Sequence, residues 1–565
     1  MKIQLNGHSD ASSPLISNSL KHDTKTRTWV VQKFGGTSVG KFPVNIAEDI
    51  VRYATFKSIR GRPTVKLIEH HSASLNDHKI AVVCSARSTG KKVEGTTSRL
   101  LEIYGILESI NSLKDTDSVH YETLASDYER LVKVICEDHV AAAKANILDE
   151  HLCSKLVGEI EGECKEILDY RMAAERWHLE IDSRSKDRLV SFGEKLSCRF
   201  VATLLRDRGV DAEFVDLSDA IHFKTPKELD HEFYRDVGQA ILEKIEACGD
   251  RVPIITGYFG TVPGGLMDGE IGRGYTDLCA ALVAVCVKAE ELQVWKEVDG
   301  IFTADPSKVP TARLLSTITP SEAAELTFYG SEVIHHLTMD QVIRATPPIK
   351  IRIKNVKNPR GNGTIILPDR VMAPGHLTHT RSSSSLSLRK TPKRPTAVTI
   401  KDKISVINVH SNKRSISHGF FARVFSILDK RQISVDLIST SEVHVSMAVH
   451  SANISKHDMQ QARDELEECG EVSVLSDMAI LSLVGSEMKN MIGIAGKMFS
   501  TLGENNVNIE MISQGNPSSG LFVLSGNDLQ MIPGASEINI SCVIDAYEAT
   551  RAMNILHTNL FTFLE

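Results

Sequence analysis

Ten cysteines occur in this chain of 565 residues, yet no two stand in a C-x-x-C pair. That spacing excludes the usual zinc-ribbon and disulfide-scaffold signals and fits reduced thiols in a cytoplasmic protein. Positive charge is in deficit as well. A formal net charge of -7 argues against nucleic acid or an anionic membrane as the main partner. No uninterrupted apolar run approaches the roughly 20 residues that a membrane-crossing helix requires. The first 27 residues lack an apolar segment and are rich in Ser and Asn, so residues 1–27 read as a disordered tail and not as a secretory signal. Asp10, Asp23 and the scarcity of arginine speak against a mitochondrial presequence.

A chain of this length is too long for one core, and two to four domains are expected. From Trp29 to Leu367, β-branched apolar runs alternate with helix-like segments. Strands are expected at Lys79–Cys84, Val252–Thr256, Gln293–Trp295 and Ile349–Ile353, and helices at Tyr121–Ala145, Leu152–Ala174 and Asp277–Ala289. Unalternated strands between helices predict an α/β domain over 28–370, with a mainly parallel sheet covered on both faces. Residues 371–395 are rich in Ser, Pro, Arg and Lys and read as a linker.

Beyond the linker the sequence repeats. Gly419-Phe420-Phe421-Ala422-Arg423-Val424-Phe425 is echoed by Gly493-Ile494-Ala495-Gly496-Lys497-Met498-Phe499, and Gly419 to Ser439 spans 20 positions, as does Gly493 to Ser513. Each copy predicts a small β-α-β-β-α-β, ferredoxin-like α+β unit, at 396–470 and 471–565, with interleaving of the two left open. Copy two carries 19 additional residues, 516–534. Two readings stand side by side: a surface loop at a hairpin tip, or a retained intron, since the removed codons preserve frame and close a short turn.

The chemistry starts at Lys33-Phe34-Gly35-Gly36-Thr37-Ser38-Val39-Gly40. A strand ends in a lysine, and a glycine-rich turn offers backbone N–H groups to phosphate oxygens. Gly35, Gly40 and Lys41 satisfy most of a P-loop, but Phe42 stands where a magnesium-binding hydroxyl is required. Three further segments complete a candidate site. They are Ser191-Phe192-Gly193-Glu194, expected at a helix start; Gly272-Arg273-Gly274-Tyr275-Thr276-Asp277, opening a helix; and Trp295-Lys296-Glu297 running to Phe302 and Asp305-Pro306. Taken singly, Arg273 reads as well as a surface ion pair, and Glu194 as a charge favoured by a helix dipole.

With these motifs the chain resembles the amino acid kinase family, and within it the fungal monofunctional aspartate kinases with C-terminal ACT domains. The resemblance implies a three-layer α/β/α kinase domain followed by two ACT units. It implies transfer of the ATP γ-phosphoryl group to the side-chain carboxylate of L-aspartate, a first step towards homoserine, threonine and methionine. By the same resemblance, Lys33, Glu194, Arg273 and Asp277 carry catalysis, and Thr37, Ser38, Thr97, Glu194, Arg273 and Thr276 hold the substrate. Lys33, Gly35, Gly36, Lys296, Glu297, Phe302, Asp305 and Lys308 hold ATP, with Mg²⁺ on its phosphates and no protein ligands named. Gly419, Phe420, Ser434, Val435, Asp436, Thr440, Ser441 and Glu442 are implied to bind an amino-acid effector, threonine before lysine, and the chain to form a homo-oligomer. A buried Asp436 wants a cation, and an effector ammonium is expected to supply it.

A carboxylate nucleophile is ionised at neutral pH, so the absence of a general base is no objection; charge neutralisation and positioning are the expected sources of rate. Two departures bear on the second phosphate-neutralising charge. Gly330-Ser331-Glu332 carries a carboxylate where many members have lysine, and Ser307 stands at the usual basic position after Asp305-Pro306. That charge then falls to Lys296, Lys308 or the metal. His335 and His336 are adjacent, point apart on any regular element, and receive no ligand role. Two other functions remain open on sequence: an amino-acid sensor with an inactive kinase domain, and a kinase for another amino acid such as glutamate.

Overall fold

The computed structural model describes residues 28–55, 78–90, 95–113, 119–221, 229–262, 264–268, 271, 274–330, 334–367, 394–411, 419–441, 443–514, 522–525, 528–531 and 538–562. The tail at 1–27 and nearly all of the linker lie outside them, as do Arg273, Glu332 and Glu442.

Eight strands form the first sheet, in the order β3-β4-β2-β1-β5-β7-β8-β6. They are β1 (Thr28–Phe34), β2 (His78–Cys84), β3 (Ala212–Val215), β4 (Val252–Thr256), β5 (Glu291–Lys296), β6 (Thr317–Ile318), β7 (Lys350–Asn355) and β8 (Thr364–Ile366). All pairings are parallel except β7 with β8. Alternate side chains of β1 feed opposite cores. Val31 packs with the helices Tyr275–Cys286 and His231–Glu246, whereas Val30 and Phe34 pack with Thr96–Ser112 and Ser183–Asp207. Helices therefore cover both faces. Fully burying a side chain such as Phe34 contributes about 1.5–3 kcal/mol.

The chain leaves β1 towards β2 and later returns on its other side to β5. This reversal places a topological switch point at the carboxyl ends of β1 and β5, where open parallel sheets bind ligands.

A second sheet has the order β10-β11-β9-β12-β16-β13: β9 (Ala397–Ser411), β10 (Val435–Thr440), β11 (His444–His450), β12 (Gly470–Val484), β13 (Met511–Gln514) and β16 (Asn539–Asp545). Its two longest strands, β9 and β12, pair with each other and serve both repeats. Ile407 and Val409 pack under the helices Phe420–Lys430 and Lys456–Glu467. Val398, Ile400, Leu481 and Leu483 pack under Ile494–Glu504 and Ala546–His557. Residues 397–401 thus join the second unit's core but precede the whole first unit, so the two units interleave. Gly419 (φ 88°) and Gly493 (φ 81°) precede matching helices in the same left-handed conformation, which only glycine adopts without strain. Within 516–534 the described residues form a separate hairpin, β14 (Phe522–Ser525) with β15 (Asp528–Met531). Among the described residues no helix is long and apolar enough to cross a membrane.

Candidate active site

Lys33 lies one residue from the end of β1, on the same face of the strand as Val31. That alternation turns it towards the helix Tyr275–Cys286, and its Nζ meets Asp277 Oδ1 at 2.6 Å. Asp277 sits in the first turn of that helix, where the dipole favours a negative charge. Burial alone would raise its carboxyl. Lys33, with Lys296 and His335 further off, outweighs burial and holds it below its ordinary value.

Glu194 comes from the opposite layer. It does not open a helix, as its sequence context suggests, but stands well inside Ser183–Asp207; Asp182 caps that helix by accepting from Arg184 N and Ser185 N. Glu194 is 1 % exposed. It accepts from the Tyr258 N–H at 2.5 Å and from Thr276 Oγ1 at 2.8 Å. Burial, only partly offset by Thr276, Tyr258, Tyr275 and Lys33, pushes its carboxyl up to about 7. Two layers of helix thus bring Glu194, Thr276 and Asp277 to Lys33 at the carboxyl end of the central strand β1.

The glycine-rich turn follows Lys33 directly. Gly35 is extended (φ -73°, ψ 161°) and the helix Gly36–Lys41 starts at once. A Cβ on Gly36 would lie 2.0 Å from the Ala86 carbonyl oxygen, and the Ser88 N–H donates to the Gly36 carbonyl at 3.0 Å. Glycine is therefore needed here for backbone-to-backbone approach, whatever ligand it also admits. Ser38 Oγ donates to Glu297 Oε1 at 2.7 Å, tying this turn to the end of β5, and Phe34 stacks on Trp295 with centroids 6.0 Å apart. Thr97 lies in the first turn of the helix Thr96–Ser112, whose Thr96 and Leu100 pack against Gly193.

The remaining nucleotide candidates divide. Lys296 reaches Asp277 electrostatically. Phe302 pairs with Leu314 in an isolated bridge. Asp305 Oδ1 accepts from Ser307 N and Oγ at 2.9 and 2.6 Å, and Lys308 Nζ bonds Asp402 Oδ2 of the second sheet at 3.3 Å. Sequence reasoning misses His335, whose ring would lie 3.1 Å from a Cβ on Gly274; it picks out the glycine-rich loop Thr256–Thr261 but not the role of the Tyr258 N–H within it. A backbone donor carries no sequence signal, and the pairing with His336 that would single out His335 does not exist on a regular element.

The amino acid kinase family matches residues 28–355, the span that holds Lys33, Glu194 and Asp277. The chain belongs to the amino acid kinase family. An ACT domain matches residues 481–560. An aspartate kinase of Gibberella moniliformis is 51% identical over 542 residues, covering 95% of this chain and 98% of that protein. The aspartokinase of Saccharomyces cerevisiae is 47% identical, covering 94% and 93%, and that of Schizosaccharomyces pombe 46%, covering 96% and 95%. The fold is similar to that of E. coli aspartokinase III solved with aspartate and ADP (24% identity, TM-score 0.60, 94% and 100% covered). Clostridium acetobutylicum aspartate kinase is also similar in fold (21% identity, TM-score 0.65, 94% and 100% covered).

In the second sheet, Asp436 already has a cation. Its Oδ1 accepts from Lys401 Nζ at 2.8 Å, so the expectation that a buried Asp436 needs an effector ammonium for its charge is corrected. Its other oxygen, Oδ2, is buried without a hydrogen-bond partner. Phe420 fills the apolar core; Ser434, Thr440 and Ser441 are exposed, and Val435 is half-buried.

Proposed function

We propose that this chain is an aspartate kinase that transfers the ATP γ-phosphoryl group to the β-carboxylate of L-aspartate. A carboxylate oxygen attacks the γ-phosphorus, the bond to the β,γ-bridging oxygen breaks, and the products are 4-phospho-L-aspartate and ADP. The observation that carries this reading is the convergence of Lys33, Asp277, Thr276 and Glu194 at the carboxyl end of β1, in a chain about half identical to fungal aspartate kinases.

The division of labour is set by charge. Both reactants are anions, and an ammonium between them lowers the repulsion as they meet. Lys33 takes that place, with Asp277 fixing its direction. Lys296, close enough to act on Asp277, supplies the second charge in preference to Lys308, which is engaged with Asp402. Glu194 receives the substrate α-ammonium, and Arg273 grips the α-carboxylate with its bidentate fork. Mg²⁺ would accompany the ATP phosphates and neutralise part of their charge.

Domain limits at 28–370, 396–470 and 471–565, with the last two interleaved, accompany this reading, as do a cytoplasmic setting and a homo-oligomer. Threonine is the proposed effector. It inhibits by favouring a state with lower substrate affinity. Coupled ADP release with L-aspartate, repeated with L-glutamate, tests the assignment: turnover on aspartate alone supports it, and turnover on glutamate or none overturns it.

A further inference from the structure

The segment beyond β5 is not held by the kinase domain alone. Residues 301–303 and 313–315 run alongside one another: Thr303 N donates to Arg313 O at 2.9 Å, and Leu315 N to Ile301 O at 2.8 Å. The turn between them, 304–312, carries Asp305 and Lys308. Its apolar side chains, Ala304 and Val309, belong to the core of the second regulatory unit, with Val398, Met553, Leu556 and Phe561.

One residue ties the two ends of that turn together. His557 ends the helix Ala546–His557 and is fully buried. Its Nε2 is 2.9 Å from Thr303 Oγ1, where the turn begins, and its Nδ1 is 3.2 Å from Thr311 Oγ1, near its end. The ring stacks on Phe561 at 4.9 Å. The same helical end makes further bonds: Asn554 Nδ2 donates to Lys308 O at 2.8 Å, and Arg313 Nη2 donates to Phe561 O at 2.9 Å. Both nitrogens of an imidazole thus engage a turn far from it in sequence, in a place where an apolar side chain would pack without needing partners.

We propose that His557 is a positioning residue for the nucleotide: by bridging Thr303 and Thr311 it sets the shape of the 304–312 turn, so that the C-terminal regulatory helix holds part of the ATP site. This rests on the reading of Phe302, Asp305 and Lys308 as nucleotide contacts. It deepens that reading by giving the C-terminal unit a direct mechanical grip on the ATP site.

The test uses the full chain, with steady-state kinetics in both substrates and calorimetric titration of ADP. His557→Ala loses two hydrogen bonds, one of them buried, and its KM for ATP is expected to rise about tenfold, with KM for aspartate within about twofold of the parent. His557→Gln, which keeps a donor and an acceptor, is expected to recover most of that loss. An unchanged KM for ATP, or equal rises in both constants, overturns the proposal. Should His557→Ala fail to fold, Thr311→Val keeps shape while removing one hydroxyl. It is expected to raise KM for ATP about threefold, and no rise overturns the proposal. If the parent chain binds no ADP, the reading of the nucleotide site falls and takes the proposal with it. If parent and His557→Ala bind ADP equally, only the role of His557 falls.

Discussion

Lys33 Nζ stands 2.6 Å from Asp277 Oδ1, joining the end of the central strand to the first turn of a helix that begins more than 240 residues later. The pair is largely shielded from solvent, and each partner orients the other. Lys33→Ala is expected to lower kcat on the order of 10²–10³-fold, the cost of removing one preorganised electrostatic group. Lys33→Arg is expected to restore little, because a planar fork does not replace a compact ammonium in a fixed gap. Turnover measured beside circular dichroism separates this loss from unfolding.

Glu194 makes a pH prediction of definite sign. Its carboxyl ordinarily titrates at 4.5 and is pushed up to about 7 by burial. Below its ordinary value both folded and unfolded chains hold the proton. Between 4.5 and about 7 the unfolded chain releases it first, so rising pH costs stability across that window, and the cost is constant above it. The bound α-ammonium favours the ionised form. KM for aspartate is therefore expected to fall as pH rises from about 6 to about 8. Glu194→Gln is expected to abolish that slope while raising KM throughout, as a pH series on both proteins will read.

Gly36→Ala tests the close approach of the glycine turn. Its Cβ would lie 2.0 Å from the Ala86 oxygen, so the helix Gly36–Lys41 or the strand-end loop beside it has to move. A displacement of about 1 Å in a positioning element costs on the order of a hundredfold in rate. The expected outcome is a folded protein with that loss in kcat/KM for both substrates.

Asp436→Ala would leave Lys401 without its carboxylate against the ring of Phe328, 4.6 Å away. Loss of one partner of a largely buried pair is expected to lower stability by about 1–3 kcal/mol, read by thermal or denaturant unfolding. The proposed inhibition by threonine is expected to weaken at least roughly tenfold in a dose series on the same variant.

Deletion of residues 516–534 is expected to leave the second sheet intact, because Met511–Gln514 pairs with residues 540–543 on either side of the deletion. Unfolding temperature and threonine response of the shortened chain check this. Sequencing the mature message decides between the two origins of the segment.

Much of this is legible in the sequence because it is local. Val252–Thr256 matches its expected limits, and the long helices Val119–Asn146 and Glu150–Trp177 extend their expected cores by only a few residues at either end. Lys33, Thr276 and Asp277 stand out because each belongs to a motif with its own spacing. What is not legible depends on distant chain segments. Glu194 reads as a helix start because Ser191 and Gly193 precede it, yet the helix is already capped by Asp182, more than three turns earlier. Lys401 lies on β9, and nothing near Asp436 announces it as a partner. Lys308 comes just after the nucleotide motif but turns to Asp402, a contact set by how the second sheet docks.

On the proposed reading, a fixed ammonium at the end of β1 lets two anions react, while Glu194 and Arg273 choose aspartate. The most direct measurement of this is initial-rate ADP release from the purified full chain with L-aspartate, for the parent and Lys33→Ala. Turnover by the parent that falls by about a hundredfold or more in a folded variant is the predicted result. Equal turnover by the two proteins, or none by the parent, contradicts it.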